Sequence, residues 1–181
     1  HHGHLVLLRG DPVKRRASLA SLAVLVWAVL APAPAGGQGF VFESTPRFDV
    51  TIVIEPSGDL LITETIVQEF GSTERHGIFR NIPNRLRYDN EFDRVYPIDL
   101  ISVNASADTP DDVETKEENG NFVIRIGDPD TTITGRHTYE IVYRVEGAMN
   151  GFDSHDEVFW NVISKKWEQS IREMKVRVTA S

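Results

Sequence analysis

Three observations predict an all-β protein. Runs with strand periodicity recur from about residue 40 onward, turn residues punctuate them, and no helical periodicity longer than two turns follows that point. About eight strands at spacings near 10 to 20 residues, with no helices to carry crossovers, suggest an antiparallel immunoglobulin-like β-sandwich, with a closed barrel as the alternative.

The elements follow in order. In Arg47 to Ile54, Phe48, Val50, Ile52 and Ile54 alternate with Arg47, Asp49 and Thr51, a strand with its apolar face inward. Pro56-Ser57-Gly58-Asp59 turns the chain. Leu60, Ile62, Ile66 and Phe70 continue on one face of the next strand, and Glu64 interrupts them. With the register kept, Glu64 points inward and needs a hydrogen-bond partner or a proton; a bulge would turn it outward instead.

Gly71 to Asn90 has no sustained period and reads as an irregular connection with a short strand. Its basic residues His76, Arg75, Arg80, Arg85 and Arg87 suit either surface ion pairs with the acidic remainder or a patch for an anionic ligand. Tyr96 to Ala105 is a strand whose apolar phase changes, which implies a bulge or burial on both faces. Asn119-Gly120, between Val113 to Glu118 and Asn121 to Ile126, is a strong hairpin signal, because both turn positions tolerate positive φ.

The clearest strand holds Tyr139, Ile141, Tyr143 and Val145 on one face, with Thr138, Glu140, Arg144 and Glu146 on the other. Val158 to Ile163, apolar at nearly every position and containing Trp160, reads as a strand covered on both faces. Met174, Val176 and Val178 alternate with Lys175, Arg177 and Thr179 in the last strand. Trp160, Tyr139 and Tyr143 are the aromatic bodies expected in the core.

The N-terminus is organised differently. Lys14, Arg15 and Arg16 precede an apolar run from Ala17 to Ala31, and Ala33-Pro34-Ala35 follows, the order of a cleavable secretory signal peptide. The run falls short of the roughly 20 residues that span a bilayer, so a cleaved signal helix is expected rather than a retained anchor. His1, His2 and His4 read as an added or upstream-extended stretch. Residues 1–39 are therefore set apart from an exported domain at 40–181.

The formal net charge of −8 becomes more negative without residues 1–39, which hold four basic residues and one acidic one. Such a surface repels nucleic acid and anionic headgroups alike. With no cysteine, the exported domain relies on its apolar core.

For chemistry, the densest polar cluster is Asp153, His155, Asp156 and Glu157. Its spacing matches neither a calcium loop nor a zinc motif, so no metal and no cofactor are expected. Asp128 and Asp130, flanking Pro129, suit the capping of backbone amides in a turn. There is no G-x-S-x-G elbow, and Ser154 beside His155 makes no triad. Glu64, Glu140 and Glu157 could meet in space as a hydrolytic carboxylate pair, but nothing selects them.

FDVTIVIEPSGDLLITE at Phe48 to Glu64, HGIFRNIP at His76 to Pro83 and GDPDTTITGRHTYEIVYRVEGAMNGFDSHDEVFWNV at Gly127 to Val162 together resemble the N-terminal domain of the bacterial predicted membrane proteins called domain of unknown function 2207. The resemblance spans residues 46–180. It implies a signal peptide, a β-rich domain outside the cytoplasm, then spanning segments and often a Gly-rich tail. This sequence stops at Ser181, before any such segment, and so reads as a fragment whose membrane attachment lies beyond it.

The expected function is non-catalytic binding or interaction at the extracytoplasmic face of the cell membrane, with an envelope protein or glycan as partner. His76, Arg80, Arg136, Asp153, His155, Asp156 and Glu157 are the expected contact residues, on loops Arg75 to Arg87 and Gly151 to Glu157. Two other classes stand beside this reading. One is an envelope hydrolase in which two of Glu64, Asp153, Asp156 and Glu157 converge in a pocket. The other is a spacer or assembly module pairing through exposed strand edges.

Overall fold

The computed structural model describes residues 42–87 and 90–181; the expected signal peptide lies outside the described residues. Those residues are all-β, with twelve strands: β1 (Ser44–Ile54), β2 (Leu60–Glu69), β3 (Ile78–Pro83), β4 (Arg85–Arg87), β5 (Asp93–Val95), β6 (Ile98–Ala105), β7 (Val113–Glu118), β8 (Asn121–Ile126), β9 (Arg136–Val145), β10 (Met149–Gly151), β11 (Asp156–Val158) and β12 (Met174–Ala180). Four of them, β4, β5, β10 and β11, are only 3 residues long. Among the described residues no helix is long and apolar enough to cross a membrane.

The long strands form a five-stranded sheet in the order β12-β1-β2-β9-β6 and a three-stranded sheet in the order β3-β8-β7. The short ones pair as two ribbons, β4-β5 and β10-β11. Alternation decides which face is buried. Phe48, Val50 and Ile52 of β1, Leu60, Ile62 and Ile66 of β2, and Tyr139, Ile141, Tyr143 and Val145 of β9 lie in one cluster with Ile82 of β3 and Phe122, Ile124 and Ile126 of β8. The two sheets thus share a single core, and each fully buried aliphatic or aromatic side chain contributes about 1.5–3 kcal/mol.

Local chemistry sets the turns. Asn119 and Gly120 both have positive φ, 52° and 73°, as the type I′ hairpin between β7 and β8 requires. Gly58 turns the chain between β1 and β2, its amide donating to the Glu55 carbonyl at 2.9 Å. In the turn after β8, Asp128 accepts from the Asp130 amide at 2.8 Å and the Thr131 hydroxyl at 2.7 Å. These donors hold its carboxyl below the usual range. The phase change in β6 is a bulge between Leu100 and Ser102 that leaves Ile101 exposed.

Three details differ from the sequence-based expectation. The large sheet is not wholly antiparallel, because β12 runs parallel to β1, Val176 opposite Val50. Moreover, Met174, Val176 and Val178 share the core-side face with Phe48, Val50 and Ile52, yet remain exposed. Finally, the strand expected at 158–163 ends at Val158, and the segment beyond it is an irregular strap. Trp160, Val162, Ile163 and Trp167 of this strap pack on the core. The Val162 carbonyl is taken by the Arg80 side chain at 2.8 Å rather than by a neighbouring strand.

Candidate functional site

Glu64 keeps the register of β2 and points inward, where neither it nor Arg80 of β3 is exposed to solvent. Arg80 Nε donates to Glu64 Oε2 at 2.6 Å and Nη2 to Oε1 at 2.7 Å, a bidentate pair that joins the two sheets. The Tyr143 hydroxyl donates to the same Oε1 at 2.7 Å. The guanidinium also bonds the carbonyls of Asn81, at 2.7 Å, and Val162, and it lies 5.5 Å from the Phe48 ring centroid and 5.9 Å from that of Trp167. Burial alone would lower the Arg80 pKa; the Glu64 charge and hydrogen bonds more than reverse this, so the group is held charged. Burial and then the Glu64 charge push Tyr143 well above its ordinary value.

This placement corrects the expectation for Arg80. It is neither a surface ion-pair partner nor part of an exposed anion patch, because its side chain is spent on the core. The inward bond to Glu64 was legible only as an alternative at Glu64, since sequence spacing does not say which residue of another sheet faces it.

Trp167 connects this buried cluster to the larger cleft, a space of about 860 Å³. Its walls come from the ends of β2 and β8, the whole approach to β3, and the strap. Gln68 and Phe70 form one side, Ile78, Phe79 and Asn81 another, and Lys166, Trp167 and Glu168 a third, with Arg75, His76 and Arg125 around them. The floor depends on two glycines. Gly77 (φ 137°) and Gly127 (φ 133°) face each other where the β3–β8 ladder ends. A Cβ on Gly77 would come within 1.9 Å of the Ile126 carbonyl oxygen, and one on Gly127 within 1.9 Å of that of His76.

The wall has an unusual polar character. Gln68 is nearly fully buried, and its Oε1 accepts from the Thr45 hydroxyl at 3.0 Å, but its Nε2 has no partner among the described residues. Trp167 Nε1 and Arg125 Nε are likewise buried without a partner. All three atoms are donors, and all three residues line the cleft. Two of the cations are engaged at other atoms, Arg75 with Glu43 at 2.7 Å and Arg125 with Glu114 at 2.8 Å. Lys166 is exposed and has no ion-pair partner among the described residues.

The remaining residues expected at the site are dispersed. His76 lines the cleft, its Nδ1 3.0 Å from the Thr131 carbonyl oxygen. Arg136 sits at the start of β9 and bonds Glu69 across the ladder at 3.0 Å. Asp153 and His155 form the turn of the β10–β11 ribbon, Asp156 and Glu157 begin β11, and all four are exposed. The His155 ring stacks on Phe152 at 5.0 Å. Among the described residues, no group of three or more His, Asp and Glu side chains could hold a metal ion. A smaller cleft of about 210 Å³ has Arg94, Tyr96, Glu157 and Phe159 in its wall. Neither cleft brings together two of Glu64, Asp153, Asp156 and Glu157. Sequence reasoning missed Gln68, Arg125, Lys166 and Trp167, which are brought together only by the fold.

Comparison with known proteins adds the following. The family model described as "Predicted membrane protein (DUF2207) N-terminal domain" matches residues 44–181. No curated protein matches the chain. Among solved structures, a mutant M1 zinc metallopeptidase from Deinococcus radiodurans is similar at 8% identity and a TM-score of 0.38, over 61% of this chain and 22% of that one. The same enzyme bound to a Tyr-Ser-Ala substrate is similar at 8% identity and a TM-score of 0.39, over 60% and 22%. The chain thus spans about a fifth of the length of these structures.

Proposed function

Because the chain belongs to the domain of unknown function 2207 family, we propose that residues 44–181 are a non-catalytic binding module, held at the extracytoplasmic face of the membrane and built as an immunoglobulin-like sandwich. The observation that carries the binding reading is a cleft of about 860 Å³ among whose lining residues Gln68, Arg125 and Trp167 each keep a buried, unpaired donor. An unpaired buried donor costs a fold about 1–3 kcal/mol, a penalty that a ligand acceptor removes. The shared core of the two sheets supports the sandwich. Export is supported by the charged, apolar and small-residue order of residues 14–35.

Both halves of the reading are testable in intact cells that express the full-length protein. The sequence has no cysteine, so Thr115→Cys on exposed β7 introduces a single thiol into this chain. Labelling by a membrane-impermeant maleimide is expected, and labelling only after lysis would defeat the extracytoplasmic placement. A photo-crosslinking amino acid in place of Phe79 should trap an adduct that Lys166→Glu abolishes. If no adduct forms, or if it ignores Lys166, the cleft is not the binding site.

A second reading rests on β12. Its exposed Val176 and Val178 lie on the core-side face at a sheet edge, as suits an assembly module that covers them with a second copy. Sedimentation of the chain at high concentration separates the two, since a monomer insensitive to Val176→Lys removes this reading.

A further inference from the structure

We propose that the cleft takes an extended, acidic peptide segment lying along the open edge of β3. This rests on the binding reading above and names its ligand class. Three independent observations converge on it.

The first is the sign of the unpaired groups. Gln68 Nε2, Trp167 Nε1 and Arg125 Nε are all donors. A neutral sugar presents hydroxyls, which need acceptors as well as donors, and Glu168 is the one carboxylate among the residues of this wall. A peptide offers a row of carbonyl acceptors, and acidic side chains offer acceptors alone.

The second is strand topology. β3 pairs with β8 on one side and ends its sheet on the other, so alternate backbone N–H and C=O groups face away from the ladder, except that the Asn81 carbonyl is taken by Arg80 at 2.7 Å and Pro83 has no N–H. The residues of β3 that border the cleft, Ile78, Phe79 and Asn81, place the cleft along that strand. Strand addition is the common way to satisfy such an edge, with main-chain bonds giving affinity and alternate side chains entering pockets.

The third is the balance of charge and apolar surface. The protein is acidic overall, at −8, yet Arg75, His76, Arg125 and Lys166 gather at this cleft beside the single Glu168. Lys166 has no ion-pair partner among the described residues. Phe79 is 61% exposed, and with Phe70 and Trp167 it offers an apolar seat for one ligand side chain. Basic groups interleaved with aromatic ones select a chain in which acidic and apolar residues alternate.

The test uses the full chain and a pool of capped hexapeptides alternating Asp with Leu, Val or Phe. Calorimetry should show binding, at least tenfold weaker for the matching Asn pool and for a pool N-methylated at alternate backbone positions. In heteronuclear NMR, the Trp167 indole N–H and the Gln68 side-chain N–H resonances should move downfield on binding. Lys166→Glu and Phe79→Asp should each reduce affinity at least tenfold with an unchanged melting temperature, so that lost binding is not lost folding. Equal binding of the Asn pool overturns the acidic class, and equal binding of the N-methylated pool overturns strand addition. An oligouronate that binds in a Lys166-dependent way while the peptides do not would overturn the peptide but leave the binding module standing. Failure of peptides and oligouronate together, with no crosslink at Phe79, would remove the binding reading itself.

Discussion

Glu64 and Gln68 sit four residues apart on the inward face of β2, both almost completely buried, yet their surroundings are opposites. Glu64 accepts from Arg80 at both oxygens and from Tyr143 at one; Gln68 is bonded at its oxygen and bare at its nitrogen. The difference shows how one strand serves two ends. Where polar groups close on one another they specify the packing of two sheets, and where a donor remains over it is the starting point of the binding proposal.

The sharpest way to break the closed end is to remove one charge. Glu64→Leu or Arg80→Met leaves its partner charged and buried, and should cost about 3–5 kcal/mol in chemical denaturation. The double variant Glu64→Leu with Arg80→Met should lose less than either single change, because no lone charge is left. If its loss equals the sum of the single losses, the pair does not act as a unit.

Next in size is a change at the cleft floor. Gly127→Ala drives a Cβ into the His76 carbonyl at a φ that other residues avoid, and a loss of about 1–3 kcal/mol is expected, with hydrogen exchange accelerated at the Ile78–Ile126 end of the ladder. An unperturbed ladder would show that the two glycines are not what sets the floor.

Smaller still is a contrast between two tyrosines on the same face of β9. Tyr143→Phe removes a bond to a buried carboxylate and should cost about 1–3 kcal/mol, whereas the Tyr139 hydroxyl has no partner, so Tyr139→Phe should be neutral or slightly stabilising. Burial raises the Tyr139 pKa to about 12 from 10. Folded protein therefore keeps a proton that unfolded chain releases. Its contribution to stability is level below pH 10 and declines as pH rises from 10 through 12, by about 1.4 kcal/mol per unit for that proton. Denaturation curves of Tyr139→Phe should lack this part of the alkaline slope. An unchanged slope would mean that the residue does not hold its proton as argued.

The smallest stability effect is expected at the open end. Lys166→Glu changes an exposed residue without an ion pair among the described residues and should shift stability by no more than about 0.5 kcal/mol, while abolishing the Phe79 crosslink.

The sequence by itself determined the all-β class, because period-two alternation at Phe48 to Ile54 and Tyr139 to Val145 leaves one face to bury, and because Asn119-Gly120 accepts the φ values its turn requires. It also carried the family resemblance in HGIFRNIP and its companion segments. Tertiary structure alone decided what those segments do. Periodicity says that Glu64 points inward but not that Arg80 waits on another sheet, so a residue read as surface charge became the deepest cation of the core. Likewise, the apolar content of residues 158–163 reads as a strand, but the Arg80 guanidinium claims the Val162 carbonyl, and the segment becomes a strap. Gln68, Arg125, Lys166 and Trp167 are separated by up to 99 positions and have no shared pattern; only the packing of two sheets and a strap brings these residues to one cleft. Alternation is a local property of backbone geometry, and pairing across sheets is not.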